Sequence, residues 1–353
     1  MISRHKISAL RVRFGGACDA AVSKVRSRIG FLGSLPTAFR STPEPPTCNA
    51  LPAACNLAGM FRALLLVWST LFSLTFATQA SDPARRLCFS RDQGVWLSNL
   101  DGTNARKIVT GADPAISPDG TRVAYTELGQ GTVRHIAVID LATGAKTSFR
   151  NLPSDNAYGP VWSPDGKQLV CKIFVGDHWR LGSVRADGTA FKFVGELSPT
   201  NQDFESPAWA PDGQSIYCQD LANIYRIDLT GKVLSQWKIS EALSNADMNS
   251  GDRIEPSSDG SHLLLDADLD RDGPIRKWEG PPPAVFLFEI SEGKAKRISP
   301  DIPYAWEPCW LSEQEYLFTG TRDGRHFEIY KTSLTGGNPQ VLIKNASGVT
   351  VSR

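Results

Sequence analysis

Four acidic residues in the second half of the chain have the spacing of a calcium-binding loop. They are Asp268, Asp270, Asp272 and Glu279. Carboxylates spaced in this way converge on one ion, the intervening Gly273 permits a sharp bend, and the final glutamate closes the site with both oxygens. Arg276 and Lys277 place two cations beside the loop, and no helix is predicted to flank it. The sequence therefore leaves two interpretations open, a calcium site and a solvated acidic loop.

Cysteine and histidine, which could supply nucleophiles or metal ligands, give weaker patterns. Beyond residue 80 they are Cys88, Cys171, Cys218, Cys309, His135, His178, His262 and His326. The cysteines lie inside apolar strands, where cysteine behaves as a small hydrophobic residue, so we expect buried thiols rather than disulfides. All the histidines except His262 are predicted near one rim of the fold, which leaves a metal site open against ordinary hairpin residues.

No catalytic motif accompanies these residues. The chain contains no G-x-S-x-G, no H-E-x-x-H and no glycine-rich phosphate loop, the short patterns that mark serine hydrolases, zinc proteases and nucleotide sites. The sequence therefore predicts a non-enzymatic protein, with no cofactor apart from calcium at the acidic loop.

A recurring turn sets the elements that would position these side chains. The string Ser-Pro-Asp-Gly or a close variant stands at 117–120, 163–166, 210–213 and 257–260. Successive aspartates are 46, 47 and 47 residues apart, and a degraded copy at 311–314 follows after a step of 54. Proline presets φ for a type I turn, serine and aspartate bond to the turn's backbone, and glycine tolerates positive φ at its exit. Each copy therefore predicts a tight hairpin.

Short strands surround every turn in the same order. An apolar strand precedes the turn and a second strand follows it, then a third strand ends in a glycine turn before a shorter fourth strand. Four short strands repeating with a period in the forties are typical of a β-propeller blade. Trp162, Trp209 and Trp310 occupy equivalent places before three turns, and we expect them to pack between neighbouring blades.

The two ends of the repeat region predict how the ring closes. Residues 86–110 match the second, third and fourth strands of a unit but lack a first strand, and residues 348–352 resemble the missing strand. Five complete units and one shared unit give an all-β, six-bladed β-propeller over residues 84–353, in which the C-terminal strand closes the first blade. Such a closure leaves no open sheet edge.

The repeats resemble those of the TolB family, whose typical unit reads Pro-x-Trp-Ser-Pro-Asp-Gly before an apolar strand. Residues 159–170, GPVWSPDGKQLV, fit this unit closely, and the resemblance covers about residues 84–353. It implies a WD40-like repeat protein of the periplasm, since TolB works in the Tol–Pal system of the cell envelope. TolB carries a mixed α/β domain ahead of its propeller, whereas here only residues 81–85 separate a predicted signal from the first blade. We therefore expect a stand-alone propeller without that domain.

The N-terminal residues predict export. Residues 60–80 begin with Met60 and Arg62, continue through an apolar run and end in small residues, as secretory signal peptides do. The run is shorter than the ~18–20 apolar residues that cross a bilayer, so we expect no stable membrane span after cleavage and a periplasmic or secreted protein. Residues 1–59 are rich in Arg, Ser, Ala and Pro without an apolar period, and we interpret them as a disordered or wrongly assigned extension.

Net charge narrows the classes of partner. Residues 1–80 hold nine of the 38 Lys and Arg and two of the 37 Asp and Glu, so the remainder carries 29 basic and 35 acidic residues, a net charge of −6. That balance argues against nucleic acid or anionic lipid as the main partner.

Loop lengths predict where recognition takes place. The connections at 151–159, 196–206, 240–254, 267–283 and 300–306 vary in length on one face, and variable loops on a rigid scaffold usually carry binding. We predict a monomeric envelope protein that binds a protein or peptide partner through this face. The predicted contact residues are Tyr158, Glu205, Arg253, Tyr304, Trp306 and Glu307. A hydrolase or lyase at the channel mouth, and a propeller that binds carbohydrate or another small ligand, stay open as alternatives.

Overall fold

The computed structural model describes residues 85–275, 278 and 280–353, so the predicted extension and signal segment lie outside the described residues. In this part of the chain there are 25 strands and one short helix, α1 at Ile239–Ala242. The strands are β1 Arg86–Arg91, β2 Gly94–Asn99, β3 Arg106–Thr110, β4 Ala112–Ile116, β5 Arg122–Leu128, β6 Arg134–Asp140, β7 Lys146–Ser148, β8 Ala157–Trp162, β9 Gln168–Val175, β10 His178–Arg185, β11 Lys192–Phe193, β12 Glu205–Trp209, β13 Ser215–Gln219, β14 Asn223–Asp228, β15 Val233–Lys238, β16 Ala246–Asp247, β17 Ile254–Pro256, β18 His262–Leu269, β19 Pro283–Glu289, β20 Lys294–Arg297, β21 Tyr304–Trp310, β22 Glu315–Thr321, β23 Glu328–Ser333, β24 Gln340–Lys344 and β25 Ser347–Val351. No helix within these residues is both long and apolar enough to cross a membrane.

The strands pair into six antiparallel sheets within the described residues, and each sheet is one blade. Blade 1 is β25-β1-β2-β3, blade 2 is β4 to β7, blade 3 is β8 to β11, blade 4 is β12 to β15, blade 5 is β16 to β20, and blade 6 is β21 to β24. In blade 5 both β16 and β17 pair with β18, because the connection from blade 4 is longer there. The predicted number of blades is confirmed.

The first strands of the blades form the wall of a central channel. β25 contacts β4, and the contacts continue through β8, β12, β17 and β21 back to β25. The ring has two faces. The Ser-Pro-Asp-Gly turns and the turns after third strands lie on one, here called the turn face. The blade-to-blade connections and the hairpins between second and third strands lie on the other, here called the mouth face.

The C-terminal strand closes the ring as the sequence predicts. β25 pairs antiparallel with β1, with Leu87 opposite Val351 and Cys88 opposite Thr350. Ser352 extends the pairing, since the Arg86 N–H donates to its hydroxyl at 2.8 Å and its own N–H donates to the Arg86 carbonyl at 3.1 Å. The first blade is therefore built from both ends of the repeat region.

The three predicted turns that begin with serine, at 117, 163 and 257, form through the same side-chain bonds. In the first copy the Ser117 hydroxyl donates to Asp119 at 2.5 Å and accepts from the Arg122 N–H at 3.0 Å, while the Gly120 N–H donates to the Ser117 carbonyl. Gly120 has a φ of 68°, which the exit of the turn requires. The turn therefore fixes the register of the first two strands.

The repeated tryptophans pack between blades, as predicted. The indole N–H groups of Trp162, Trp209 and Trp310 donate to carbonyls of the preceding blade's first strand, at 2.8, 3.2 and 2.9 Å. Each indole therefore combines apolar burial with a bond that sets the spacing of neighbouring blades.

Six apolar clusters lie among the described residues, one at each interface between blades. Both faces of each sheet are therefore buried, and the strands lack the alternation of a half-exposed sheet. All five residues of β13 are buried, for example. A polar residue inside such a strand needs a partner within the protein.

Removing residues 347–353 should destabilise the whole ring rather than one strand. The deletion exposes the edge of β1 and the apolar groups that β25 covers, so we expect the melting temperature to fall by at least about 10 °C. Thermal unfolding followed by circular dichroism measures the effect. Deletion of Arg353 alone, which leaves β25 whole, serves as the control and should move the transition little. An unchanged transition in the longer deletion would contradict the closure.

Candidate functional site

A β-bulge interrupts the first strand at the same place in five of the six described blades. The bulged residues, which all have positive φ, are Asp113, Gly159, Ser206, Glu307 and Gly348. Proline follows four of them, and since proline has no N–H, the bulge leaves no unpaired donor at that point. Bulges turn side chains and backbone away from the regular ladder, and here they do so at the mouth face of the channel.

A polar residue stands on the second strand opposite each of the five bulges, and Asp266 takes the equivalent place in blade 5, where the first strand has no bulge. These residues, called the polar ring, are Ser90, Thr126, Lys172, Gln219, Asp266 and Thr319. All but Ser90 are buried, with 5% exposure or less. Because a buried polar group without a partner is costly, their bonds define what this region does.

Members of the polar ring tie neighbouring blades together. The Thr126 hydroxyl donates to Asp113 of its own blade at 2.7 Å and accepts from the Gly159 N–H of blade 3 at 3.1 Å. In the same way Thr319 donates to Glu307 at 2.8 Å and accepts from the Gly348 N–H of the closing strand at 3.1 Å. One hydroxyl thus makes hydrogen bonds to two neighbouring blades.

Gln219 extends this pattern with an amide. Its Nε2 group donates to the Ser206 hydroxyl at 3.2 Å and to the Asn249 carbonyl, in the connection to blade 5, at 2.9 Å. Its Oε1 accepts from the Leu221 N–H at 2.6 Å. The side chain therefore links the channel wall to the tip of the β13–β14 hairpin.

Blades 3 and 4 are joined by a buried ion pair. The Lys172 ammonium binds the Glu205 carboxylate, and both side chains are only 6% exposed. The same ammonium lies 4.9 Å from the centroid of the Tyr158 ring. Burial alone would lower the pKa of Lys172, but the Glu205 carboxylate and then Tyr158 raise it above its ordinary value. The pair is therefore charged and structural.

Blade 5 places a carboxyl group in the polar ring. Burial, together with the nearby carboxylates of Glu307 and Asp268, raises the pKa of Asp266 to about 7. Hydrogen bonds from the backbone N–H groups of Arg253 and Glu307 act in the opposite direction. The Arg253 N–H donates to Asp266 at 2.7 Å. Asp266 therefore changes its charge near neutral pH inside the channel wall.

Arg253 connects this cluster to the ring closure. Its guanidinium donates to the Val349 carbonyl of β25 at 2.8 Å, past the intervening first strand of blade 6, and lies 3.8 Å from the Glu255 carboxylate. Burial alone would lower the pKa of Arg253, but the carboxylate of Glu255 raises it above its ordinary value. The residue predicted as a partner contact thus holds the closing strand.

The predicted contact residues fall into two groups. Glu205 and Tyr304 are buried, at 5% and 0% exposure, because they lie in β12 and β21 rather than in loops. Tyr304 stacks on Trp278 at 4.4 Å and accepts from the Ile275 N–H at 3.2 Å, so it anchors the long hairpin of blade 5. Glu307 and Arg253 serve the closure.

Tyr158 and Trp306 are the predicted residues that remain part of the rim, each half-buried. Tyr158 packs edge-on against Trp179 at 5.1 Å, under the guanidinium of Arg134 at 4.0 Å. Trp306 packs edge-on against Phe327 at 5.5 Å. Aromatic groups of two separate blades therefore border the channel mouth.

Three exposed apolar residues of the mouth face were not among the contact residues predicted from the sequence. Leu128, Leu221 and Phe327 are 47%, 49% and 39% exposed and lie at the hairpins between second and third strands of blades 2, 4 and 6. An apolar residue inside a short polar turn, as in Gln-Asp-Leu-Ala-Asn at 219–223, is the signal that could have found Leu221.

The calcium-loop prediction keeps its two interpretations. Asp268 accepts from the Asn249 amide at 3.0 Å, and Asp270 and Asp272 are exposed. Glu279 lies outside the described residues, and within those residues no group of three or more His, Cys, Asp or Glu side chains is placed to hold a metal. Calcium binding stays a prediction.

The four cysteines of the described residues are free and buried, as predicted. Burial raises the pKa of the Cys171 thiol to about 12, which leaves little reactive thiolate at neutral pH. The four histidines bind different carboxylates. The His178 Nδ1 atom lies 2.8 Å from the Asp203 carboxylate, His262 Nε2 lies 2.7 Å from that of Glu289, and His326 Nδ1 lies 2.6 Å from that of Asp323. The His135 Nε2 atom lies 4.0 Å from the Asp155 carboxylate.

The closed ring of four-stranded sheets and its polar ring define a six-bladed β-propeller. A family model described as the TolB beta propeller domain matches residues 90–265. A TolB homolog of Chlorobaculum tepidum is 31% identical over 103 residues, which are 27% of this chain and 22% of that protein. The chain is a TolB-like β-propeller, and its match spans about a fifth of this curated relative.

Solved structures agree at the level of the fold. TolB from Acinetobacter baumannii superposes with a TM-score of 0.54 at 18% identity, over 76% of this chain and 66% of that one. A TolB candidate from Agrobacterium tumefaciens gives 0.53 at 16% identity, over 74% and 89%.

Replacing Lys172 by methionine should destabilise the protein by about 3–5 kcal/mol, because Glu205 is then buried without its partner. The double variant Lys172→Met/Glu205→Leu removes both charges and should cost less than Lys172→Met alone. Urea unfolding of the four proteins of the cycle measures both effects. The control is Lys238→Met in the exposed Lys238–Glu241 pair, which should not shift the midpoint. Additive costs for Lys172 and Glu205 would contradict a coupled pair.

Asp266 should make stability fall as pH rises. The folded protein holds the proton to about pH 7 and the unfolded chain releases it near pH 4, so this stabilisation is present below pH 4 and lost by about pH 8. Relative to Asp266→Asn, the wild-type free energy of unfolding should drop by up to about 4 kcal/mol across this range.

Urea unfolding at pH values from 4 to 8 gives this difference directly. Gln219→Leu is the control, since it occupies the same place in blade 4 and does not titrate. A wild-type minus Asp266→Asn difference that is constant with pH would sink the assignment.

Proposed function

We propose that this chain is a non-enzymatic, exported propeller of the cell envelope that binds a protein or peptide partner through its mouth face. The export pattern of residues 60–80 and the TolB resemblance support the compartment. The geometry of the mouth face supports the mode of action, above all at the β13–β14 hairpin of blade 4.

Leu221 carries the proposal. A single exposed leucine is ordinary on a protein surface, but Leu221 is 49% exposed and also has a φ of 69°. A bulky residue in the left-handed region costs about 1–2 kcal/mol, and such strain gathers at functional sites. A strained backbone that exposes an apolar side chain to water is favourable only when a binding partner covers that side chain.

The hairpin is held rigidly in this conformation. The Leu221 N–H donates to Gln219, and the next two N–H groups donate to the Asp220 carboxylate at 3.1 and 2.8 Å. Asp220 in turn accepts from the hydroxyls of Thr200 at 2.6 Å and Tyr225 at 2.9 Å. An apolar group fixed in place before binding loses little entropy on contact, which favours affinity.

The other two exposed hairpin residues support a broad contact. Leu128 and Phe327 stand on blades 2 and 6, so apolar groups alternate around the mouth, with Trp306 beside Phe327. Apolar and aromatic anchors spread over a rigid surface suit a protein or peptide better than one small molecule. The four histidines are paired with separate carboxylates, which favours binding over catalysis.

Leu221→Asp should reduce capture of the partner at least tenfold, since loss of an apolar anchor costs more than ~1.4 kcal/mol. The matched control is Leu234→Asp, because Leu234 is 48% exposed on β15 of the same blade, away from the mouth. Photo-crosslinking from position 221 or 234 in envelope extract, followed by mass spectrometry, measures contact directly. Adducts should form at 221 and not at 234. Equal yields at both positions, or none at 221, would contradict the proposal.

A further inference from the structure

The mouth face contains a cleft that is separate from the channel and from the exposed apolar residues of the hairpins. It has a volume of about 600 Å³ and lies between the long hairpin of blade 5 and the connection from blade 5 to blade 6. Arg271 and Pro274 line it from the hairpin, Arg297 from the end of β20, and Ser299, Asp301 and Pro303 from the connection.

Two guanidinium groups face this cleft, and neither has a carboxylate partner among the residues that the structure describes. Among the ion pairs of the described residues, within 4.0 Å, neither Arg271 nor Arg297 takes part. Arg297 donates one bond, from Nε to the Ser299 hydroxyl at 2.9 Å. Each guanidinium carries five N–H donors. Most of these donors therefore have no acceptor within the described part of the chain, and they can bind one in the cleft.

The two positive charges act on each other. Burial lowers the pKa of Arg297, and the neighbouring charge of Arg271 lowers it further. An anion between them would offset both effects. The chain beyond residue 80 is net acidic, so this positive site is a local feature and not part of a general basic surface.

The walls of the cleft are set before any ligand arrives. The Ser299 N–H donates to the Val285 carbonyl at 3.1 Å, and the Arg322 guanidinium donates to the Asp301 carbonyl at 3.2 Å. Proline at 274, 300 and 303 restricts the backbone around the opening. Below them Ile302 is buried and closes the floor. The cleft is a fixed, partly apolar groove with positive charge at one end.

We infer that this cleft binds a single carboxylate, from a side chain or from the C-terminus, of an extended peptide segment. Guanidinium forks match a planar carboxylate with two parallel bonds. The Ser299 hydroxyl accepts from Arg297, so its own hydrogen is free to donate to a carboxylate oxygen. Asp301 at the edge disfavours a second negative charge, which selects a carboxylate over a phosphate dianion. The inference rests on the proposed function, because it supplies the chemistry of one contact within the partner.

Calorimetric titration in low salt tests the cleft with defined probes on the full chain. The probes are a tetraglutamate peptide with both ends blocked, a tetraglutamine peptide with a free C-terminal carboxylate, the same tetraglutamine peptide with both ends blocked, and inorganic phosphate. One of the two carboxylate probes should bind, and which one binds tells a side-chain carboxylate from a C-terminal one. The blocked tetraglutamine peptide and phosphate should not bind.

The variant Arg271→Gln/Arg297→Gln should weaken binding of the carboxylate probe at least tenfold. The matched control is Arg106→Gln/Arg185→Gln, which removes the same charge from two exposed arginines at the turn face and should change affinity less than twofold. Arg271→Lys, which keeps the charge and loses the fork, should give an intermediate loss. Unchanged melting temperatures confirm that the variants fold.

Three results would overturn the inference: no binding of either carboxylate probe, equal loss in both double variants, or phosphate binding as tightly as the carboxylate probe. Leu221→Asp should leave probe binding intact. If the wild-type protein captures no partner, or if Leu221→Asp captures it unchanged, while the carboxylate probe still binds, the result counts against the proposed function and not against the cleft.

Discussion

The first strands of blades 1, 3 and 4 each depend on a polar side chain from the blade before them. The channel wall is made of backbone, and each bulge takes a residue out of the regular ladder, so its N–H or carbonyl needs another partner. Thr126 and Thr319 supply that partner as acceptors, while Gln219 donates to the Asn249 carbonyl in the segment that follows blade 4. Where the ring carries Lys172, an ion pair to Glu205 replaces the hydroxyl bond. The spacing of the blades, the closure and the shape of the mouth all follow from these bonds.

The fold could be predicted because its strongest signals are local. A Ser-Pro-Asp-Gly turn needs only a few residues in a row, and its repetition gives the blade length, the number of blades and the split first blade. The tryptophans could be assigned because they keep a fixed distance from the turn. The polar ring was not foreseen, since its members are chemically unlike each other and align only after each strand's register is known.

Two of the predicted contact residues have scaffold contacts that the sequence does not reveal, for a physical reason. Glu205 and Tyr304 follow variable connections and look like loop residues, yet the structure assigns them to β12 and β21. Their polar atoms bind Lys172 and the Ile275 N–H, so they serve the scaffold. Leu221 and the pairing of Arg271 with Arg297 depend on backbone angles and on segments that meet only in the folded chain.

The split first blade also sets the order in which the protein can be completed. Of the strands in the described residues, a ribosome makes β1, β2 and β3 before the others and makes their inner neighbour β25 after all of them. Throughout synthesis β1 presents an unpaired edge that other chains could join. The growing chain therefore needs to be kept from self-association until its final residues emerge, and late truncations from premature termination should be selectively prone to aggregate.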